Sequence, residues 1–393
     1  MRRTRALWEV FVRRFEDAFR QYRRSRLTAE EAGELLGMSG RQFRRLCVRF
    51  ADEGVEGLRD RRIGKASPRR APARELERIR QLYRDRYSDF TVKHFHEQLV
   101  RRHSYKLGYT VTRLSLQAAG LVAKAKRRGA HRKRRPRRPL PGMLLFQDGS
   151  TYRWIASLER ELDLVVTLDD ATGAIYSAIL VEQEGTLSSF LGLTETITKH
   201  GLFSAFYTDR GSHYFVTKGS GGTVDKTHLT QVGRALRQLG ITHIASYSPQ
   251  GRGRIERVFG TLQNRLPQEL RLARIKTLPA ANRYLKQRFV PDYNARFAVP
   301  TEQPGSAFIP YVGALLQDVL CIQEDRRVGA DNCVTWKRRS LQIPAQGHRR
   351  HYVKATVRVH EYPDGRLAIF DGPRCLVRFE QNNGTQYVAA QAA

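Results

Sequence analysis

The sequence is poor in cysteine, and its four, Cys47, Cys321, Cys333 and Cys375, are scattered without a CxxC pair. That spacing excludes a zinc knuckle and a disulfide framework, and it suits a reducing cytosol. No stretch approaches the ~18 apolar residues of a membrane span. The N-terminus is rich in arginine but lacks a signal peptide's apolar core; instead Trp8, Phe11, Val12, Phe15 and Phe19 recur at the spacing of an amphipathic helix. Acid is scarce relative to base. There are 38 Asp and Glu against 70 Lys and Arg, a formal charge of +32. Such a surplus calls for a polyanionic partner, nucleic acid first and an anionic membrane second. The surplus lies mostly at the front, where residues 1–140 carry 39 basic and 15 acidic side chains.

What is present suggests several domains, since 393 residues exceed the ~100–200 of one. In the first, expected over 1–62, Thr28 to Glu31 reads as a capping box, with Leu27 as staple residue, and Ser39 to Gln42 as a second. Two capped helices around a Gly-containing turn make a helix-turn-helix pattern. Phe43, Leu46, Cys47 and Phe50 would face its core, leaving Arg41, Gln42, Arg44, Arg45 and Arg49 outward, and of these we expect Arg41, Gln42, Arg44 and Arg45 to contact DNA. A linker rich in Pro and Arg spans Arg61 to Pro72. A second module of helix-turn-helix type is expected over 70–123, with Arg113 as its DNA contact. From Lys124 to Arg138 ten of fifteen residues are basic. A linker over 124–140 with that charge suits phosphates better than a core, so Arg132, Lys133, Arg134 and Arg135 are candidate backbone contacts.

From Met143 the pattern turns to strands, at Met143–Phe146, Leu162–Leu168 and Ala174–Leu180, with Asp169 to Gly173 as a hairpin turn. A helix closed by Gly201, a strand at Ser204–Thr208, a Gly-rich insertion, a helix at Val232–Leu239, a strand at Thr242–Ser246 and a long helix from about Gly251 to Leu272 follow. This describes a mixed α/β sheet with helices on its faces, expected over 141–310. Short alternating segments beyond Cys333 suggest a small all-β barrel over 325–390. The fold class expected is therefore multidomain: all-α modules, an α/β core and a terminal barrel.

Three carboxylates stand out by position. Asp148 and Asp209 each follow a strand, and parallel pairing of those strands would bring both to one end of the sheet. Glu256 lies near the start of the long helix, within reach of that edge. Carboxylates held so close repel one another and call for a cation. Magnesium suits them, because it takes hard oxygen ligands and keeps water that substrate phosphates can replace. Asp169 and Asp170 read as turn residues. Asp225 and His228 lie in the insertion, and His213 reads as loop surface. Arg252 and Gln263 share the Glu256 side of the helix and are candidate DNA contacts.

The ordered set Phe146-Gln147-Asp148-Gly149-Ser150, Leu168 to Gly173, Tyr207-Thr208-Asp209-Arg210-Gly211 and Ser248 to Arg257 resembles the catalytic core of the retroviral-integrase-like DDE transposases, most closely the ISNCY-type insertion-sequence group. The resemblance runs from about Gln147 through Asp292-Tyr293-Asn294. It implies a ribonuclease-H-like fold, with Asp148, Asp209 and Glu256 as metal ligands for two Mg2+ ions, Mn2+ substituting. There are departures. Arg210 and Ser212 to Phe215 differ from many relatives, and the interval from Asp209 to Glu256 is lengthened by the Gly219–Gly222 insertion. The zinc-binding N-terminal domain of retroviral integrases is replaced by the helical modules.

The resemblance implies in-line displacement at phosphorus: nicking at the ends of an element, then attack of the freed 3′-hydroxyl on target DNA. It also implies double-stranded DNA as partner, a homo-oligomer on that DNA, and a cytoplasmic, nucleoid-associated location without membrane contact. Two alternatives are a transposase-derived DNA-binding regulator and a ribonuclease-H-like nuclease that does not join.

Overall fold

A computed structural model describes residues 5–61, 70–124, 135–219, 222–225, 227–382 and 386–389. The contacts expected at Arg132, Lys133 and Arg134, and parts of the 61–72 linker and the Gly-rich insertion, fall outside these residues. The chain divides into two compact units, Met1–Glu77 and Arg78–Ala393.

In the first unit, helices α1 (Arg5–Arg23), α2 (Ala29–Leu35) and α3 (Gly40–Glu53) enclose Phe15, Ala32, Phe43, Leu46 and Cys47. Local chemistry sets the ends of α2 and α3. Thr28 and Glu31 form a reciprocal capping box, and the Ser39 side chain accepts from the Gln42 amide. The turn between these helices closes tightly: a Cβ on Gly33 would stand 2.7 Å from the Met38 carbonyl oxygen. Phe15 anchors the cluster, its ring centroid 5.5 Å from those of both Phe43 and Phe50. Burying an aromatic side chain of this kind contributes roughly 1.5–3 kcal/mol.

Helix α4 (Ala73–Arg86) carries the chain into the second unit, followed by α5 (Val92–Arg102) and α6 (Tyr109–Ala118). Next come β1 (Leu145–Tyr152), β2 (Leu162–Asp169), β3 (Ile175–Val181), α7 (Thr186–His200), β4 (Ala205–Thr208), α8 (Gln231–Gln238) and β5 (Thr242–Ala245). The five strands form one sheet in the order β3-β2-β1-β4-β5, antiparallel from β3 to β1 and parallel from β1 to β5. Leu145 and Phe146 show how β1 serves both faces. Leu145 joins Phe190, Leu193, Phe206 and Leu236 under α7 and α8, while Phe146 joins Val166, Ile255 and Phe259 on the other side.

That second face is covered by α9 (Pro249–Gln263), α10 (Leu266–Leu272), α11 (Leu278–Tyr284) and α12 (Val290–Phe297). The single long helix expected from Gly251 to Leu272 is two, with a break at Asn264–Arg265. Pro267 accounts for it, having no amide to offer the Gln263 carbonyl one turn back and a ring that crowds it. The α4–α6 group is fastened to these helices by charge. Glu97 accepts from Arg265 (2.7 Å) and Arg296 (2.8 Å), Asp89 from Arg271 (2.6 Å), and Glu269 pairs with the buried His94 (2.8 Å).

After α13 (Leu316–Val319), strands β6 (Ile322–Arg327), β9 (Thr356–Glu361), β10 (Leu367–Asp371), β11 (Arg374–Asn382) and β12 (Gln386–Ala389) make an antiparallel sheet in the order β12-β11-β10-β9-β6. Strands β7 (Cys333–Trp336) and β8 (Arg339–Gln342) pair as a separate hairpin. Strands β6 and β12 are additions to the expected set. Gln231 and Arg234 of α8 hold this region to the core by bonds to the Gln323 and Cys321 carbonyls, both 2.7 Å. No helix among the described residues is long and apolar enough to cross a membrane.

Candidate active site

Strands β1 and β4 run parallel with Phe146 opposite Tyr207, so Asp148 and Asp209, two residues further along each chain, fall at one edge. Asp148 does not follow its strand as expected; it lies inside β1. Residues Gly149 to Tyr152 go on pairing with β2, opposite Val165 to Leu162. Strand β4 stops at Thr208, so the flank of β1 beside Asp148 is left open toward Asp209. The Asp209 carboxylate accepts from the Gly211 amide at 2.9 Å, which fixes the turn after β4.

The third acid rides on α9. The Ser248 side chain caps that helix by accepting from the Gly251 amide, and Pro249 occupies its first turn. Ile255, Val258, Phe259 and Leu262 bury its inner face. Glu256 is exposed on the outer side, where it lines an open cleft with Asp209, Arg210, Ser246, Tyr247, Ser248 and Arg252. Gly251 allows a close crossing: a Cβ there would collide with the Tyr207 hydroxyl, which itself donates to Ser246 Oγ at 3.0 Å.

Arg252 joins the two acids of the sheet. Its guanidinium stands 3.1 Å from Asp148 Oδ2 and 3.5 Å from Asp209 Oδ2. Asp148 is nearly enclosed, and burial pushes its carboxyl up to about 7; Arg252 opposes that rise while Asp209 and Glu184 add to it. Among the described residues no three Asp, Glu, His or Cys side chains are already arranged to hold a metal ion. The donors nevertheless fit a hard divalent cation in kind. All are carboxylates, one is buried at a cost in solvation, and a positive group already lies between two of them.

Glu184 was not legible in the sequence. It stands on the loop between β3 and α7, and its carboxylate lies over Gly149, where a Cβ would collide with it. His213 Nε2 is 3.5 Å from Glu184 Oε1. The only signal for this was Gly149 itself, a glycine beside a candidate ligand.

Rival groups have structural work. Asp169 accepts from the amide and hydroxyl of Thr172, at 2.7 and 2.6 Å, which closes the β2–β3 turn. Asp170 is fully buried and paired with Arg135 and Arg254. Asp225 gathers Thr227 and His228, and those hydrogen bonds hold its carboxyl well below the usual range. Burial pushes His243 down to about 4, leaving a neutral ring stacked on Phe215 and bonded to Thr208 Oγ1.

The expected DNA contacts are in mixed positions. Arg41, Gln42 and Arg45 are exposed on α3, and Arg113 is exposed on α6. Arg44 pairs with Glu30 at 3.1 Å. Arg135 is taken up by Asp170, Gln263 donates to Ser150 Oγ at 3.2 Å, and Arg252 lies on the acids.

No family model matches the chain. It is 33% identical over 348 residues to the putative transposase y4bF of Sinorhizobium fredii, covering 88% of this chain and 75% of that protein. It is 27% identical over 310 residues to the transposase for insertion sequence IS1202 of Streptococcus pneumoniae, covering 70% and 66%. Among solved structures it is similar to the HTLV-2 integrase catalytic core domain in complex with magnesium, at 20% identity and a TM-score of 0.28 over 38% of this chain and 89% of that one. It is also similar to a chain of the simian T-cell lymphotropic virus intasome solved with PP2A regulatory subunit B56 gamma, at 13% identity and a TM-score of 0.34 over 79% and 95%. The chain belongs to the same family of transposases as y4bF. It is a DNA transposase.

Proposed function

We propose that this transposase cleaves DNA at the ends of its element and joins the freed 3′-hydroxyl to target DNA, with Asp148, Asp209 and Glu256 as its metal ligands. One observation carries the reading: parallel pairing of β1 and β4 sets Asp148 beside Asp209, with a cationic group between them and Glu256 on the cleft wall. Two Mg2+ ions, or Mn2+ in their place, would supply Lewis-acid activation of water or hydroxyl and stabilisation of charge at phosphorus. The residues do the rest. Asp148 offers a buried, poorly solvated carboxylate with high affinity for a cation, and Asp209 is oriented by the Gly211 amide. Glu256 completes the set by approach along the cleft. The half-buried arginines of the open cleft, Arg210 and Arg252, suit a phosphate backbone.

In the same reading α2 and α3 form the helix-turn-helix module, with Arg41, Gln42, Arg44 and Arg45 at DNA, and α4–α6 a second module acting through Arg113. Segment 124–140 tracks phosphates through Arg132 to Arg134. The terminal β region acts as a small barrel that bridges subunits or meets target DNA, and the working form is a homo-oligomer on two ends. The experiment is a joining assay with oligonucleotides bearing the terminal repeats. Joined products support the proposal. Cleavage without joining would mean a nuclease, and end binding with neither would mean a regulator. Asp148→Asn, Asp209→Asn and Glu256→Gln should each lower joining by ~100-fold or more while sparing end binding.

A further inference from the structure

Asp209 and Glu256 line the cleft, Asp148 and Glu184 lie close behind Asp209, and the cation set directly on Asp148 and Asp209 is Arg252. We propose that Arg252 is an exchangeable counter-ion: it is shared between Asp148 and Asp209 in the metal-free protein, and moves to a DNA phosphate when those acids take a divalent ion. This rests on the metal-site reading above and adds to it the fate of one residue.

Geometry supports exchange rather than a fixed strut. The two ion pairs are unequal, 3.1 Å to Asp148 and 3.5 Å to Asp209, so the fork does not seat bidentately on either acid. The buried Nε has no hydrogen-bond partner among the described residues. A built structural arginine looks different in this same helix: Arg254 donates to Asp170 and to the carbonyls of Arg135 and Pro136. The Arg252 side chain is 31% exposed, open on the cleft side, where Arg210 and Tyr247 leave room. Gly253 follows it on α9, and a Cβ built there would meet nothing among the described residues, so the helix surface on that side of Arg252 is open.

Charge supplies the direction. One guanidinium offsets a single charge of the cluster, whereas a divalent ion offsets two and places them closer to the oxygens. Once displaced, the planar fork suits a phosphate better than any other group in the cleft. Metal and DNA should then help each other, because each removes a competitor of the other. That coupling is reciprocal.

The test is Mn2+ binding to the full chain, followed by electron paramagnetic resonance, with and without a random-sequence duplex. The proteins are the wild type and the Arg252→Gln, Arg252→Lys, Arg210→Gln and Asp209→Asn variants. Without DNA, R252Q should bind Mn2+ about fivefold more tightly or better, the lower edge of ordinary coupling between sites. R252K should fall between, which preserves the comparison if R252Q folds poorly. Duplex should tighten Mn2+ binding to the wild type and leave R252Q unmoved. R210Q removes the same charge from the cleft wall and should gain distinctly less. Equal gains in R210Q and R252Q, or an R252Q affinity no better than wild type while D209N loses binding, would overturn the exchange and leave the metal site standing. Absence of Mn2+ binding in every protein would overturn the metal site and the exchange with it.

Discussion

The Arg254 guanidinium on α9 reaches the buried Asp170 carboxylate in the β2–β3 turn, and its other terminal nitrogen donates to the carbonyls of Arg135 (2.6 Å) and Pro136 (2.9 Å). One side chain thus ties the helix that carries Glu256 to the sheet that carries Asp148, and ties both to the end of the basic segment. Of the two adjacent acids at the end of β2, Asp170 serves this joint and Asp169 closes the turn.

Asp170→Ala should therefore destabilise the second unit by ~3–5 kcal/mol, the usual cost of leaving a buried charge without its partner. Chemical denaturation measures it. Asp170 is not a ligand in this account, so whatever fraction remains folded should keep the Mn2+ affinity of the wild type. A loss of Mn2+ binding at unchanged stability would move Asp170 into the site.

Asp148 gives a dependence on pH. Its carboxyl is raised from 3.8 to about 7 in the folded chain, so between those values the folded protein keeps a proton that the unfolded chain releases. The resulting contribution to stability is complete below 3.8 and is lost as pH rises to about 7. In EDTA at pH 8, Asp148→Asn should accordingly be more stable than the wild type, by ~1–4 kcal/mol, with a smaller gap at pH 5. Thermal melts at the two pH values decide it. A variant less stable than wild type at both would mean that the carboxylate is a net stabilising partner of Arg252.

Gly251 lets the first turn of α9 cross close to Tyr207 of β4. A Cβ there collides with the Tyr207 hydroxyl, so Gly251→Ala should push the first turn of the helix away from β4 and carry Arg252 and Glu256 with it. Joining should fall by ~100-fold, the scale of a displacement near 1 Å in a catalytic group. Adding Tyr207→Phe removes the colliding oxygen and should restore part of the activity. No rescue by the double variant would place the defect elsewhere in the helix.

How much of this was legible depended on whether the signal was local. Thr28, Glu31 and Ser39 announce helix starts because capping is settled within four residues, and the strands near 162–168 and 174–180 were marked by apolar runs. The three acids were singled out by position, and the parallel β1/β4 pairing brings Asp148 and Asp209 to one end of the sheet. The extent of β1 was missed because Gly149 to Tyr152 are mostly polar, held in the sheet by β2 rather than by their own propensity. Strand β6 was missed for a similar reason: Gln323 to Arg327 carry charge, and pairing with β9 makes them a strand. The break at Asn264 was legible in Pro267 and was overlooked. Glu184 above Gly149, and Arg252 between two acids, depend on contacts between distant segments and have no local pattern.

The basic segment offers the last prediction. Of the four residues expected to contact phosphates, Arg135 is taken up by the Asp170 carboxylate, and Arg138 donates its backbone amide to the same group at 2.8 Å. Arg135 is thus part of the joint described above, whereas Arg132, Lys133 and Arg134 lie outside the described residues. Each phosphate contact releases counterions and adds ~0.9 to the slope of log affinity against log salt. Replacing Arg132, Lys133 and Arg134 together with Gln should therefore flatten that slope by roughly two to three units, on the true end and on random DNA alike. The ratio between the two DNAs should hold, because phosphates carry no direct sequence information. Arg135→Gln should do the reverse, lowering stability while leaving the salt slope near that of the wild type. Binding titrations at several salt concentrations, beside a denaturation curve for each protein, separate the two behaviours. A slope that responds to Arg135 as strongly as to its neighbours would mean that DNA takes this arginine away from Asp170.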